Sequence, residues 1–171
     1  MIVRRAGPNQ GNQRRSGITL TDQARQALIA VARRSAAIER GGLLVGFREG
    51  SNILVEDILE VPDTRAGRTT YLRRESPARA ALDAYLARPG TDKLVGYVGE
   101  WHTHPQPVGP SAVDEAAMRA MVRANRRTVG LIVAALDDDL RTVQLHGLVS
   151  AAPTPWTRVA GRWVETSPQT A

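Results

Sequence analysis

Three side chains in this sequence stand at spacings that suit metal chemistry: His102, His104 and Asp114. The two histidines follow an apolar run, Leu94-Val95-Gly96-Tyr97-Val98, that reads as a buried strand, so they fall at or just past its end. Alternate residues of a strand share a face, and His-x-His therefore aims two imidazoles at one point. Imidazole nitrogen is a common zinc ligand, and a catalytic zinc usually takes three protein ligands while leaving a place for water. Asp114 is the nearest good third ligand. Pro105, Pro107, Gly109 and Pro110 force a turn, and Ser111 before an alanine-rich run reads as a helix N-cap, which places Asp114 in the first helical turn. Ser111-x-x-Asp114 is equally a plain capping arrangement, in which the carboxylate only favours the positive end of the helix. A lone histidine near a strand end is usually a polar surface residue, but two of the chain's three histidines at this spacing, followed by Ser and Asp, are hard to assign to chance. The third, His146, lies in an alternating run far along the chain and reads as structural.

This pattern resembles the JAB/MPN (JAMM) zinc peptidases, whose motif is a distant Glu, then His-Ser/Thr-His-Pro, then Ser-x-x-Asp. The matching residues are His102, Thr103, His104, Pro105, Ser111 and Asp114, with Glu39 ahead of Gly41-Gly42-Leu43-Leu44-Val45-Gly46 in the setting of the family's Glu. Taken alone, Glu39 reads as a solvated carboxylate at a helix exit; only the resemblance gives it a function. The His104-to-Ser111 loop is one residue shorter than the family's usual pattern. The resemblance covers residues 17–150 in element order. It implies an α/β fold, a single mixed β-sheet flanked by helices in the JAB/MPN (cytidine-deaminase-like) architecture. It also implies Zn2+ held by His102, His104 and Asp114, with Glu39 as the proton-transferring carboxylate and Ser111 as a donor to the oxyanion rather than a nucleophile.

The activity the resemblance implies is that of a zinc metallopeptidase cleaving after the C-terminal glycine of a ubiquitin-like protein or its conjugate. The type is the prokaryotic stand-alone enzyme encoded beside E1- and E2-like partners, including those of antiphage defence operons. Maturation of a sulfur-carrier protein would use the same site, and a non-catalytic MPN-like scaffold would usually lack one of the ligands that this chain keeps.

The elements that must position these residues fit within 171 residues, enough for one domain with a real core. Hydrophobic residues make up 42%, with only one Phe, three Trp and three Tyr, so the core must be aliphatic and alanine-rich. With no cysteine, disulfides and thiolate zinc sites are excluded, and histidine and carboxylate remain as the strong ligands. No apolar run reaches the roughly 20 residues that span a bilayer and no secretory signal opens the chain, so a cytoplasmic protein without membrane contact is the simplest reading. The formal charge of +6 comes almost wholly from arginine, Lys93 being the only lysine. This fits a compositional bias as well as it fits an acidic partner. Direct nucleic-acid binding is not expected, because no basic motif interleaved with aromatics is visible.

In order, residues 1–16 are polar, basic and rich in turn formers, and read as a mobile arm with a short extended piece at Ile2-Val3. After Ile18-Thr19-Leu20, Thr21 caps a helix whose stripe is Ala24, Leu28, Val31 and Ser35. Gly42 to Phe47 and Asn52 to Val61 form a hairpin through Gly50-Ser51. Arg68 to Arg73 is expected as a strand. Ser76-Pro77 is expected to start a helix with Pro77 at its first position and with Ala78, Leu82, Tyr85 and Leu86 buried. Ala112 to Asn125 is expected as a helix with Val113, Ala117, Met121 and Ala124 on its inner side. Thr128 to Leu136 reads as a strand covered on both faces, Asp137-Asp138-Asp139 as a hairpin loop, and Leu140 to Val149 as the returning strand. Residues 151–171 read as a C-terminal extension with a small hairpin at Ala160-Gly161.

Overall fold

The computed structural model describes residues 17–68, 71, 73–150 and the backbone of 162–165. The arm over 1–16 and most of the extension over 151–171 lie outside these residues. Ten elements follow in order: β1 (Ile18–Leu20), α1 (Asp22–Arg33), β2 (Gly41–Glu49), β3 (Asn52–Glu60), α2 (Glu75–Leu86), β4 (Gly96–His104), α3 (Ala112–Asn125), β5 (Val129–Leu136), β6 (Val143–Ser150) and β7 (Arg162–Glu165). The strands form one sheet in the order β1-β3-β2-β4-β5-β6-β7. β1 with β3 and β4 with β5 are parallel and the other pairs antiparallel, so the sheet is mixed.

The period of two along each strand sends alternate residues to two cores. On one face α1 lays Ala24, Leu28, Val31 and Ala32 over Leu44, Ile53, Val55, Val98, Trp101 and Ile132. Thr21 starts that helix by accepting from the Ala24 N–H, and its hydroxyl donates to the Glu56 carbonyl at 2.8 Å, which ties the cap to β3. Ser35, part of the expected stripe, is buried just past the helix and donates to the Val31 carbonyl at 2.6 Å. On the other face α2 covers Leu43, Val45, Leu59 and Val61, and α3 covers Val129, Leu131 and Leu148. β5 runs through the middle with every residue buried, as its unbroken apolar run requires.

Four expectations are corrected. Arg68, Tyr71 and Arg73, the described residues of the stretch expected as a strand, belong to no strand. They are held instead by side chains: the Tyr71 hydroxyl donates to the Val61 carbonyl at 3.0 Å, and Arg73 pairs with Glu100 at 2.5 Å. The second helix begins at Glu75, with Arg74 rather than Ser76 at the N-cap and no side-chain cap, so Pro77 sits third in the first turn, where its missing N–H still costs nothing. On that helix Leu86 is 40% exposed, and Ala81 packs inward beside Ala78, Leu82 and Tyr85. On α3 the inner face is Met118, Met121 and Val122, and Val113 is 77% exposed. The rotation follows from the helix start: Asp114 and Glu115 are half-buried there, and the stripe continues from them at intervals of three and four.

Candidate metal centre

His102 and His104 are the first and last of the final three residues of β4, on the face covered by α2 and α3. Their Nε2 atoms lie 3.1 Å apart. Asp114 comes from the first turn of α3, with Oδ1 3.2 Å from His102 Nε2 and Oδ2 3.7 Å from His104 Nε2. The three ligand atoms fall within 4.8 Å of one another, a group that can hold a metal ion. The loop that is one residue short therefore still closes, bringing all three expected ligands together.

The local sequence explains each placement. Ser111 is the N-cap of α3 in a full capping box: its hydroxyl accepts from the Asp114 N–H at 3.3 Å, and its own N–H donates to Asp114 Oδ2 at 2.6 Å. The Ser111 hydroxyl also lies 2.7 Å from that oxygen. One carboxylate thus makes the capping bonds and faces the two imidazoles. Thr103, between the histidines and facing the other way, is buried; its N–H donates to the Arg40 carbonyl at 2.7 Å and its hydroxyl accepts from the Arg40 N–H at 2.9 Å. That double link fixes the chain just after Glu39 against the end of β4. The register Gly41 to His102, continued by two residues, sets Glu39 opposite His104, with Oε1 3.9 Å from His104 Nε2. Gly41 is needed there for close approach, since a Cβ would run into the Tyr71 ring and the Trp101 carbonyl. The Glu39 N–H donates to the Gly67 carbonyl at 2.8 Å, joining the loop after β3 to the site.

The charges sort accordingly. Burial pushes the Glu39 carboxyl up to about 7, against the lowering field of His102. Burial opposes ionisation of Asp114, but hydrogen bonds from His102 and Ser111 outweigh it and hold this carboxyl well below the usual range. Burial lowers the His104 pKa, against its bond to the Val108 carbonyl. His104 Nδ1 lies 2.8 Å from that carbonyl, which can only accept, so Nδ1 carries the proton and Nε2 presents its lone pair.

These features fit a divalent ion on chemical grounds. A lone pair on His104 Nε2, a second imidazole nitrogen 3.1 Å away and an ionised carboxylate converge on one point. Tetrahedral zinc with nitrogen ligands keeps such a pair roughly 3.3 Å apart. The outer nitrogen of His104 already has the carbonyl acceptor that metal-bound histidines require.

Sequence reasoning found the five side chains but not the Val108 carbonyl, which no residue type announces. His146, read as structural, lies against the loop carrying Val108, its ring beside Gly109. Two arginines near the site are engaged in ion pairs, Arg73 with Glu100 at 2.5 Å and Arg74 with Asp63 at 3.7 Å. Beside Glu39 a cleft of about 110 Å3 is lined by Gly41, Glu60, Val61, Asp63 and Tyr71.

Comparison with known proteins agrees with this geometry. Residues 21–152 match the family model described as prokaryotic homologs of the JAB domain. The chain is 35% identical over 102 residues to a Pseudomonas aeruginosa (strain BWHPSA011 / Pa011) protein named CD-NTase/cGAS isopeptidase, covering 56% of this chain and 62% of that one. It thus spans less than two thirds of that relative's length. In fold it is similar to the solution structure of protein DSY2949 from Desulfitobacterium hafniense, with a TM-score of 0.55 at 22% identity over 85% of this chain and 89% of that one. With its mixed sheet, its His-His-Asp group and a family match over most of its length, the chain belongs to the prokaryotic JAB-domain family.

Proposed function

We propose that this protein is a zinc-dependent isopeptidase that hydrolyses the bond after the C-terminal glycine of a ubiquitin-like protein or its conjugate. The observation that carries the reading is the convergence of His102, His104 and Asp114 with Glu39 beside them, in a chain of the JAB family. The name of the Pseudomonas relative supports the reaction class and points to a conjugate on a CD-NTase/cGAS-type protein as the substrate.

His102 and His104 through Nε2, and Asp114 through its carboxylate, would hold the ion. A zinc bound there supplies Lewis-acid polarisation of the scissile carbonyl and of a water molecule. Glu39 receives the water's proton on its carboxylate and returns it to the leaving amine, and burial, which raises its proton affinity, suits it to both halves of that task. The Ser111 hydroxyl, at the mouth of α3, donates to the oxyanion when it turns from Asp114. The capping box ties Asp114 to the start of α3 and the Val108 carbonyl orients His104, so these two groups are held in place before substrate arrives.

The test is incubation of the zinc-loaded protein with a ubiquitin-like protein joined through its terminal glycine to a second protein, with release followed by mass. A chain trimmed from a sulfur-carrier precursor, run alongside, separates the two substrate classes. Purified protein should hold about one zinc per chain. Cleavage that survives both chelation and Glu39→Ala would overturn the assignment.

A further inference from the structure

Gly109 passes directly over the ring of His146: a Cβ built at Gly109 would come within 3.3 Å of Nδ1 and 3.5 Å of Cγ and Cε1. His146 lies on β6, and the register His102–Val133–His146 runs straight across β4, β5 and β6. Directly paired residues share a face, so His146 stands on the same side of the sheet as His102. At two strand spacings, roughly 10 Å, it is too far to share an ion with His102. Its contact is with the loop instead.

Among the described residues, that loop has little else to hold it. Pro105, Pro107 and Pro110 have no N–H to donate, the Val108 N–H is used within the loop on the Gln106 carbonyl at 2.8 Å, and the Val108 side chain is 51% exposed. Yet the Val108 carbonyl must stay 2.8 Å from His104 Nδ1 to keep His104 in the tautomer that frees Nε2. Gly109 is the next residue along.

We propose that His146 is a positioning residue for the metal centre: its ring seats Gly109, and through it holds the Val108 carbonyl against Nδ1 of His104. A side chain at Gly109 would then press on the ring, which would have to give by a few tenths of an ångström for a methyl group and more for a larger side chain. Its φ is not in the left-handed region, so the constraint is contact and not backbone conformation. The inference rests on the zinc reading only where zinc is the probe.

The test is a double-mutant cycle on the full chain with Gly109→Val, His146→Ala and the pair together. Zinc affinity is measured by chelator competition, and the His104 tautomer by nitrogen-proton NMR of the metal-free protein. Each single variant should lose roughly 10–100-fold in zinc affinity, the loss usual for a ligand's outer hydrogen-bond partner, and should lose the Nδ1–H signal of His104. The double variant should be no worse than His146→Ala, because the vacated ring space receives the valine. Gly109→Ala, whose methyl group still presses on the ring, should show a smaller loss and serves if His146→Ala does not fold. Additive losses in the cycle would overturn the proposal. So would variants that melt earlier with affinity and tautomer unmoved. A wild-type protein that takes no zinc would count against the peptidase reading, while the metal-free NMR arm would still decide the part played by His146.

Discussion

Asp114 Oδ2 accepts the backbone N–H of Ser111 at 2.6 Å while Oδ1 of the same carboxylate lies 3.2 Å from Nε2 of His102. One side chain thus completes the cap at the start of α3 and faces the two imidazoles, so the helix start and the proposed third ligand cannot move separately.

The two roles separate by substitution. Ser111→Ala should cost about 1 kcal/mol of stability, the usual loss of an N-cap, retain zinc, and lower kcat by about 100-fold or more through loss of the oxyanion donor. Asp114→Asn should keep much of the cap and lose the zinc. Metal content and urea unfolding on both variants check this, and zinc bound normally by Asp114→Asn would remove it from the ligand set.

Glu39 lies near the histidines, yet its nearest oxygen is 3.9 Å from His104 Nε2, and it is assigned to proton transfer. Glu39→Gln should therefore bind zinc as the parent does and lose roughly 100- to 10,000-fold in kcat. Without metal the same residue has a pH signature. Its folded pKa, about 7, is above the ordinary value of 4.5, so the folded state holds the proton more tightly than the unfolded chain does. Its stabilising contribution is full below pH 4.5 and is lost as pH rises to 7. In chelator the parent should lose stability relative to Glu39→Gln across that window, and parallel curves would show that Glu39 is ordinary.

The face of α3 offers a packing test. Val113→Ser, on the exposed side, should change stability by no more than about 0.5 kcal/mol. Met118→Ala, 4% exposed against β5 and β6, should cost about 2–5 kcal/mol. Thermal unfolding of the metal-free variants compares them directly, and the reverse order would restore the face expected from spacing.

The last turn of α3 closes on Arg126, which takes φ 51° and ψ 28° in the left-handed region. A side chain there carries a conformational cost that glycine escapes. Arg126→Gly should stabilise the protein by about 0.5–1 kcal/mol in urea unfolding, with no change in zinc content.

Much was legible in residue order. Strong periodicity marked α1, and Ser111 through Asn125 carried both a cap and a helix, so its span read directly. Which side of α3 turns inward did not read, because alanine and valine lie all round it and the choice belongs to the half-buried Asp114. Arg68 to Arg73 had the β-favouring Thr and Tyr of a strand, but Tyr71 and Arg73 found partners outside any ladder, in Val61 and Glu100. A backbone acceptor such as the Val108 carbonyl has no residue signature.

By itself the sequence determined the donor types and their local geometry: two imidazoles brought to one face by strand alternation, and a carboxylate brought to a helix start by its cap. Those are short-range facts, set within a few residues of each other by backbone periodicity. Only the tertiary structure decided that Glu39 stands opposite His104, because that depends on β2 pairing with β4 and on Thr103 clamping Arg40. Only it decided that His146 faces the loop, because cross-sheet register joins residues far apart in the chain. Such proximity arises from burying two faces of one sheet at once, a constraint no local stretch of residues contains.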